Sequence, residues 1–234
     1  MTNTRGRGKP DRIKNSGQPS GRCRAAGSLD MSDKEIVEYA SPTLAGLKTG
    51  CLFGQNFAGE EEMRRQIREY NRRFAGTDLC LIPLQYCGGR ALLYLYRPER
   101  LRGDFQEPQV GRLLRQDGYQ ICSTAACLLR LADRISRERE TGGFPHEIGL
   151  FLGYPPEDVE GFILQGPRHC KCTGYWKVYG DVDGARRTFR KYRCCTDCYR
   201  KQLARGVPLE RLTVRGKTAG SRDGSDSGPA RKRS

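Results

Sequence analysis

Hydrophobic residues recur at helical spacing in several stretches of this chain. From Glu60 to Phe74 they return every three or four positions, acids fill the first turn, and Gly76 follows as a stop. Two further amphipathic helices are predicted over about 107–117 and 123–139, where apolar side chains form one face. Shorter helices are predicted near 33–40, from Pro156 onward, near 183–192 and near 196–205.

A β-hairpin is predicted between the helix at 60–74 and the helix at about 107–117. Residues 79–86 and 90–97 are apolar, aromatic-rich runs, and the three residues between them include two glycines. Both faces of the hairpin are apolar, so other elements must cover them. Pro83 lacks a backbone N–H, which makes the first run an edge strand or a bulged one. Residues 41–53 contain a proline and two glycines and are interpreted as an ordered turn region.

These elements predict a helix-rich α+β single domain with a buried β-hairpin and a helical, cysteine-containing C-terminal region. The domain should span 31–214. The flanking tails, 1–30 and 215–234, are basic and nearly free of large apolar residues, so we expect both to be disordered. Met31 is followed by a capping Ser32, and we expect it to be the native start, with 1–30 as an upstream extension.

The formal net charge of +15 is unevenly distributed along the 234 residues. The tails and the stretch 160–214 carry the excess of Lys and Arg, and 31–159 is close to neutral. No run approaches the roughly 18 apolar residues that cross a bilayer, and the N-terminus lacks the apolar segment of a signal peptide. We therefore expect a cytoplasmic protein without a membrane partner, whose eleven cysteines are reduced thiols.

Two close-spaced cysteine groups in the C-terminal region suggest a metal site. Cys170, Cys172, Cys195 and Cys198 supply the four soft ligands that tetrahedral zinc or an iron site requires, and His169 competes for the fourth position. Cys195 and Cys198 alone also form a C-x-x-C pair that would suit redox chemistry. The competing interpretation is that these thiols pack as small hydrophobic side chains.

His146 and Glu147 are the candidate catalytic residues, because an adjacent imidazole and carboxylate can act as an acid–base pair in a pocket. A helical zinc protease is excluded, since Leu150 occupies the position of the second histidine. In the alternative interpretation His146 caps a turn and Glu147 pairs with an arginine.

The stretch 186–205 interleaves eight Lys and Arg residues with three aromatic residues. Such a pattern suits binding to a phosphate backbone with stacking on bases, so nucleic acid is a possible partner class. On an amphipathic helix, however, the aromatic rings would face the core and the charges would face water.

Three motifs resemble one bacterial family. They are FPHEIGLFLGYPPEDVEGFI at 144–163, SPTLAGLKTG at 41–50 and GYWKVYGD at 174–181, and together they are similar to domain of unknown function 3793 over about 36–214. The matching pieces are Ser41, Pro42, Gly46 and Lys48; Arg90 and Tyr94 to Arg97; His146, Glu147, Gly149, Gly153, Tyr154 and Pro155; and Cys172, Gly174, Trp176, Lys177 and Tyr179. The resemblance implies an intracellular bacterial setting and no mechanism.

Among these pieces we take Lys48, Arg90, Tyr154 and Trp176 as candidate ligand-binding residues. The leading hypothesis is a cytoplasmic binding or regulatory module of unknown ligand, with a thiol or metal site near its C-terminus. One alternative is a small enzyme with a pocket around His146 and Glu147. The other is a nucleic-acid or polyanion binder that uses 186–205.

Overall fold

A computed structural model describes residues 30–215 of the chain. Its helices are α1 Asp33–Leu44, α2 Glu60–Arg73, α3 Pro98–Gln106, α4 Pro108–Gln116, α5 Thr124–Glu140, α6 Ile148–Phe151, α7 Pro156–Gln165 and α8 Val182–Ala204. Its strands are β1 Gly50–Asn56, β2 Cys80–Cys87, β3 Arg90–Tyr96, β4 Cys172–Thr173 and β5 Lys177–Val178, and a short 3-10 helix spans Leu209–Leu212. The predicted helix-rich α+β class is confirmed. Almost all of both predicted tails, 1–29 and 216–234, lies outside the described residues.

The larger sheet has the strand order β1-β3-β2, and both pairings are antiparallel. The β2–β3 pair is the predicted hairpin. β2 lies at an edge, and its register shifts between Pro83 and Gln85, as the missing N–H of proline requires. β1 occupies part of the region that was interpreted as a turn, so the sheet gains a strand on its other side.

Both faces of this sheet are buried, because helices cover each of them. Alternate residues of β3 point to opposite sides: Leu93 and Leu95 join one core with α1 and α2, whereas Tyr94 and Tyr96 join a second core with α3, α4, α5 and α6. The fold therefore has three layers, with the sheet in the middle.

The C-terminal region differs from its prediction in one respect: α8 is a single helix of 23 residues where two were expected. A short β4–β5 hairpin packs on the N-terminal half of α8 through Trp176 and Phe189, which form a third apolar cluster. The C-terminal half of α8 lies along α1, where Arg200 pairs with Glu38.

Two arginines join the beginning and the end of the described chain. Arg73 on α2 forms ion pairs with Asp33 at the start of α1 and with Glu210 in the 3-10 helix. Arg97 is buried, and its guanidinium donates hydrogen bonds to the carbonyl oxygens of Thr43 and Leu44, and to that of Val214 near the C-terminal limit of the description.

Candidate functional site

The side chain of Lys48 lies in the interior of the protein, at the turn that follows α1. The backbone N–H groups of Leu47 and Lys48 both donate to the carbonyl oxygen of Pro42, which folds the turn back over the end of the helix. Only 8% of Lys48 is exposed to solvent. Within residues 30–215 its ammonium group makes no ion pair and no hydrogen bond, and its Nζ lies 4.9 Å from the centre of the Tyr154 ring.

Tyr154 is held close to the lysine by the loop between α6 and α7. Gly153 has a left-handed φ of 71°, and a Cβ at this position would lie 2.5 Å from Oγ1 of Thr49, the residue after Lys48. Glycine therefore allows the two backbones to approach each other. The ring of Tyr154 stacks on that of Trp176 with a centroid distance of 5.0 Å, and its hydroxyl donates to the carbonyl oxygen of Tyr175 at 3.2 Å.

Asp158 on α7 fixes the position of Trp176, a role that no sequence motif indicated. The indole Nε1 donates to one carboxylate oxygen at 2.7 Å, and the other oxygen accepts from the backbone N–H groups of Tyr179 and Gly180 at 2.7 and 2.8 Å. The carboxylate is 3% exposed. A single buried side chain thus anchors the β4–β5 hairpin and the aromatic pair beside the lysine.

Burial determines the electrostatics of the site. It lowers the pKa of Lys48 to about 8, because a charged amine is poorly solvated there. It also raises the pKa of the neighbouring Cys51 thiol to about 11, so this thiol is neutral at physiological pH and supplies no counter-charge. The face of the Tyr154 ring compensates part of the charge on the ammonium.

A family model for a protein of unknown function, DUF3793, matches residues 36–213. The chain belongs to this family. No curated protein and no solved structure matched it. In the part of this DUF3793 chain that the structure describes, no helix is long and apolar enough to cross a membrane.

Of the four candidate ligand-binding residues, the DUF3793 fold brings Lys48, Tyr154 and Trp176 together and leaves Arg90 apart. Arg90 is exposed at the start of β3, where its guanidinium covers Gly54 of β1. The lysine lies at the other end of that strand, since the N–H of Arg97 donates to the carbonyl oxygen of Thr49. At the rise of an extended strand, these ends are about 20 Å apart.

The two candidate catalytic side chains, those of His146 and Glu147, lie in different surroundings. His146 is exposed, and its ring meets the edge of Phe162 at 4.8 Å, whereas Glu147 is buried. The carboxylate of Glu147 accepts a hydrogen bond from the Tyr119 hydroxyl at 2.7 Å and pairs with Nε of Arg134 at 2.7 Å. Burial raises the pKa of Glu147. These contacts are those of a buried ion pair that joins α5 to the loop before α6.

The four cysteines proposed as metal ligands lie on two elements: Cys170 and Cys172 at the start of the β4–β5 hairpin, and Cys195 and Cys198 on α8. The thiol of Cys170 lies 3.5 Å from the hydroxyl oxygen of Thr173, and that of Cys195 donates to the carbonyl oxygen of Ser41 on α1. Cys198 is exposed on α8. Over 30–215, no three His, Cys, Asp or Glu side chains are grouped as a metal ion would require. Burial raises the pKa of Cys195 to about 11, as expected for a packed thiol.

Proposed function

We propose that this protein is a cytoplasmic binding module for a small anionic molecule, whose carboxylate or phosphate group pairs with Lys48. The observation that carries the proposal is Lys48, a lysine that is only 8% exposed and has no anionic partner within residues 30–215. An isolated charge of this kind is expensive to bury, and natural proteins pair such groups. A ligand that supplies the missing charge would recover much of that free energy on binding.

The surroundings of Lys48 also favour a small ligand with an apolar or flat portion. The Tyr154 ring lies beside the amine, and Trp176, which Asp158 holds, stacks on that ring. Binding sites for small molecules combine such aromatic walls with a few polar groups. Because only 8% of Lys48 is exposed, the anionic end of the ligand must be compact.

Fluorescence titration tests this proposal directly, since Trp176 is the only tryptophan in the chain. Acetate, pyruvate and inorganic phosphate would be titrated against the full chain, with chloride held constant. We expect at least one of them to change the tryptophan emission. We also expect its affinity to fall as the pH rises through about 8, where the amine loses its proton.

Two variants make the result specific. Lys48→Met removes the charge and keeps a long unbranched side chain, and it should abolish the response. Lys34→Met removes an exposed lysine on α1 and should leave the response unchanged. Unaltered binding by Lys48→Met, or no response to any of the three anions in the parent protein, would overturn the proposal.

A further inference from the structure

A polar concavity lies between α8 and the β4–β5 hairpin, and Lys48 is not among its lining residues. It is an open groove of about 360 Å³. Its lining consists of three arginines on α8, the aromatic ring of Phe189, and the backbone and side chains of the hairpin turn, namely Arg186, Arg190, Arg193, Phe189, Cys172, Thr173 and Gly174. No carboxylate is among these residues.

The groove is a built feature of the fold. A Cβ at Gly174 would lie 2.1 Å from Cε2 of Phe189, so the bare glycine backbone rests directly on the ring. Behind it, Asp158 holds the hairpin through Trp176 and two backbone N–H groups. The wall facing the arginines is therefore positioned before any ligand arrives.

Two of the three groove arginines differ from the other arginines on the same helix. Arg200 pairs with Glu38 at 2.5 Å and Arg187 lies 3.8 Å from Asp181. Among the residues that the structure describes, Arg190 and Arg193 have no acidic partner, and Arg186 reaches Asp183 only at 4.0 Å. If this helix face were only solvated, the unpaired guanidinium groups of Arg190 and Arg193 would have no reason to line the concavity.

Their spacing indicates the kind of ligand. Positions 186, 190 and 193 follow one face of the helix, and the rise per residue places the first and last about 10 Å apart along the axis. Guanidinium groups donate paired hydrogen bonds to phosphate oxygens. We propose that this groove binds the di- or triphosphate group of a small molecule, with the three arginines along one side and the hydroxyl of Thr173 on the other.

Calorimetric titration of the full chain with pyrophosphate and with tripolyphosphate tests the assignment. Arg190→Gln and Arg193→Gln should each weaken binding by about tenfold or more, as expected for the loss of charge-assisted hydrogen bonds. Arg187→Gln is the matched control, since it removes the same charge from the same helix outside the groove, and it should change affinity by less than about twofold. Circular dichroism of each variant would confirm that the helix is retained.

Three outcomes would overturn the inference. Equal weakening by Arg187→Gln would mean that the ligand senses only the overall positive charge. Tighter binding of a single-stranded oligonucleotide than of tripolyphosphate, with all three variants equally affected, would make α8 a nucleic-acid surface. Absence of binding to both phosphate compounds would remove the site. The same titrations of Lys48→Met separate the two proposals, since binding in the groove should survive that substitution, whereas binding at the lysine site should not.

Discussion

Replacing Lys48 with methionine removes a buried charge while keeping a side chain of similar length. In the unfolded chain this lysine ionises near its ordinary value of 10.5, whereas burial lowers its pKa to about 8 in the folded protein. Below about pH 8 both states carry the proton, so the unfavourable burial of the charge is fully present. Between about 8 and 10.5 the unfolded state binds more protons, and the free energy of unfolding therefore rises with pH.

The size of this effect follows from the pKa difference. Each pKa unit corresponds to about 1.4 kcal/mol, so the full displacement amounts to roughly 3 kcal/mol. The Lys48→Met variant should be more stable than the parent by about this amount at pH 7, and the difference should shrink toward zero near pH 10.5. Cys51 has the opposite effect on the free energy of unfolding. Its pKa is raised in the folded protein, so its contribution lowers stability as the pH rises from about 9 to 11. Because Lys48 and Cys51 interact electrostatically, the cleanest comparison of the two proteins is at pH 7, where the thiol is neutral in both.

Urea unfolding of both proteins, followed by circular dichroism under reducing conditions from neutral pH to about 10, measures this difference. The buffers should contain neither phosphate nor carboxylate, since such anions are the proposed ligands of the amine. Lys34→Met serves as the control, and its stability should differ little from that of the parent at every pH. A Lys48→Met difference below about 1 kcal/mol and constant across the range would refute the reasoning, because it would mean that the ammonium is hydrated.

Three further substitutions test the packing around the two sites, each by urea unfolding with the emission of Trp176 as a second readout. Asp158→Asn should lower the free energy of unfolding by about 1 to 3 kcal/mol and shift the emission, because one acceptor of the indole and backbone hydrogen bonds is lost; an unchanged emission maximum would contradict this role. Gly174→Ala should cost about 1 to 3 kcal/mol, since the new methyl group overlaps the Phe189 ring, and retained stability would mean that the hairpin can move away from α8. Arg97→Lys should cost about 2 to 4 kcal/mol, because an ammonium cannot reach all three carbonyl oxygens, and a loss below about 1 kcal/mol would argue against their importance.

The spacing of apolar residues was sufficient to predict the hairpin and the long amphipathic helices. Each helix packs one apolar face on the sheet, and the hairpin strands are apolar on both faces because helices cover both. The spacing failed for β1, whose sequence GCLFGQN contains two glycines. Gly50 is needed because the buried Tyr94 ring of β3 covers it: a Cβ there would lie 2.5 Å from that ring. A Cβ at Gly54 would meet only the exposed guanidinium of Arg90, which can move aside. A residue that looks like a turn former in the sequence thus serves a cross-strand contact.

The candidate site could be predicted only in part. Family motifs indicated Lys48, Tyr154 and Trp176, which lie more than 100 residues apart at the extremes, and the fold brings them into contact. Asp158 lies in the first turn of the helix predicted from Pro156 onward, and the sequence does not indicate its further role, because its partners are a side chain and two backbone N–H groups from a later hairpin. His146 and Glu147 are adjacent in the sequence, yet the first is exposed and the second is buried, a difference that the sequence pattern alone does not indicate.

The contacts of Arg73 have a consequence for how the chain can be connected. Asp33 and Glu210 both pair with its guanidinium, so the first helix begins close to where the last 3-10 helix lies. A linker of about six residues, which reaches up to about 20 Å, would join these ends. New termini opened at Gly142 and Gly143, in the exposed turn after α5, would interrupt no helix or strand. We expect such a circular permutant to form the same three layers, because the helices and strands would keep their packing although their order along the chain changes.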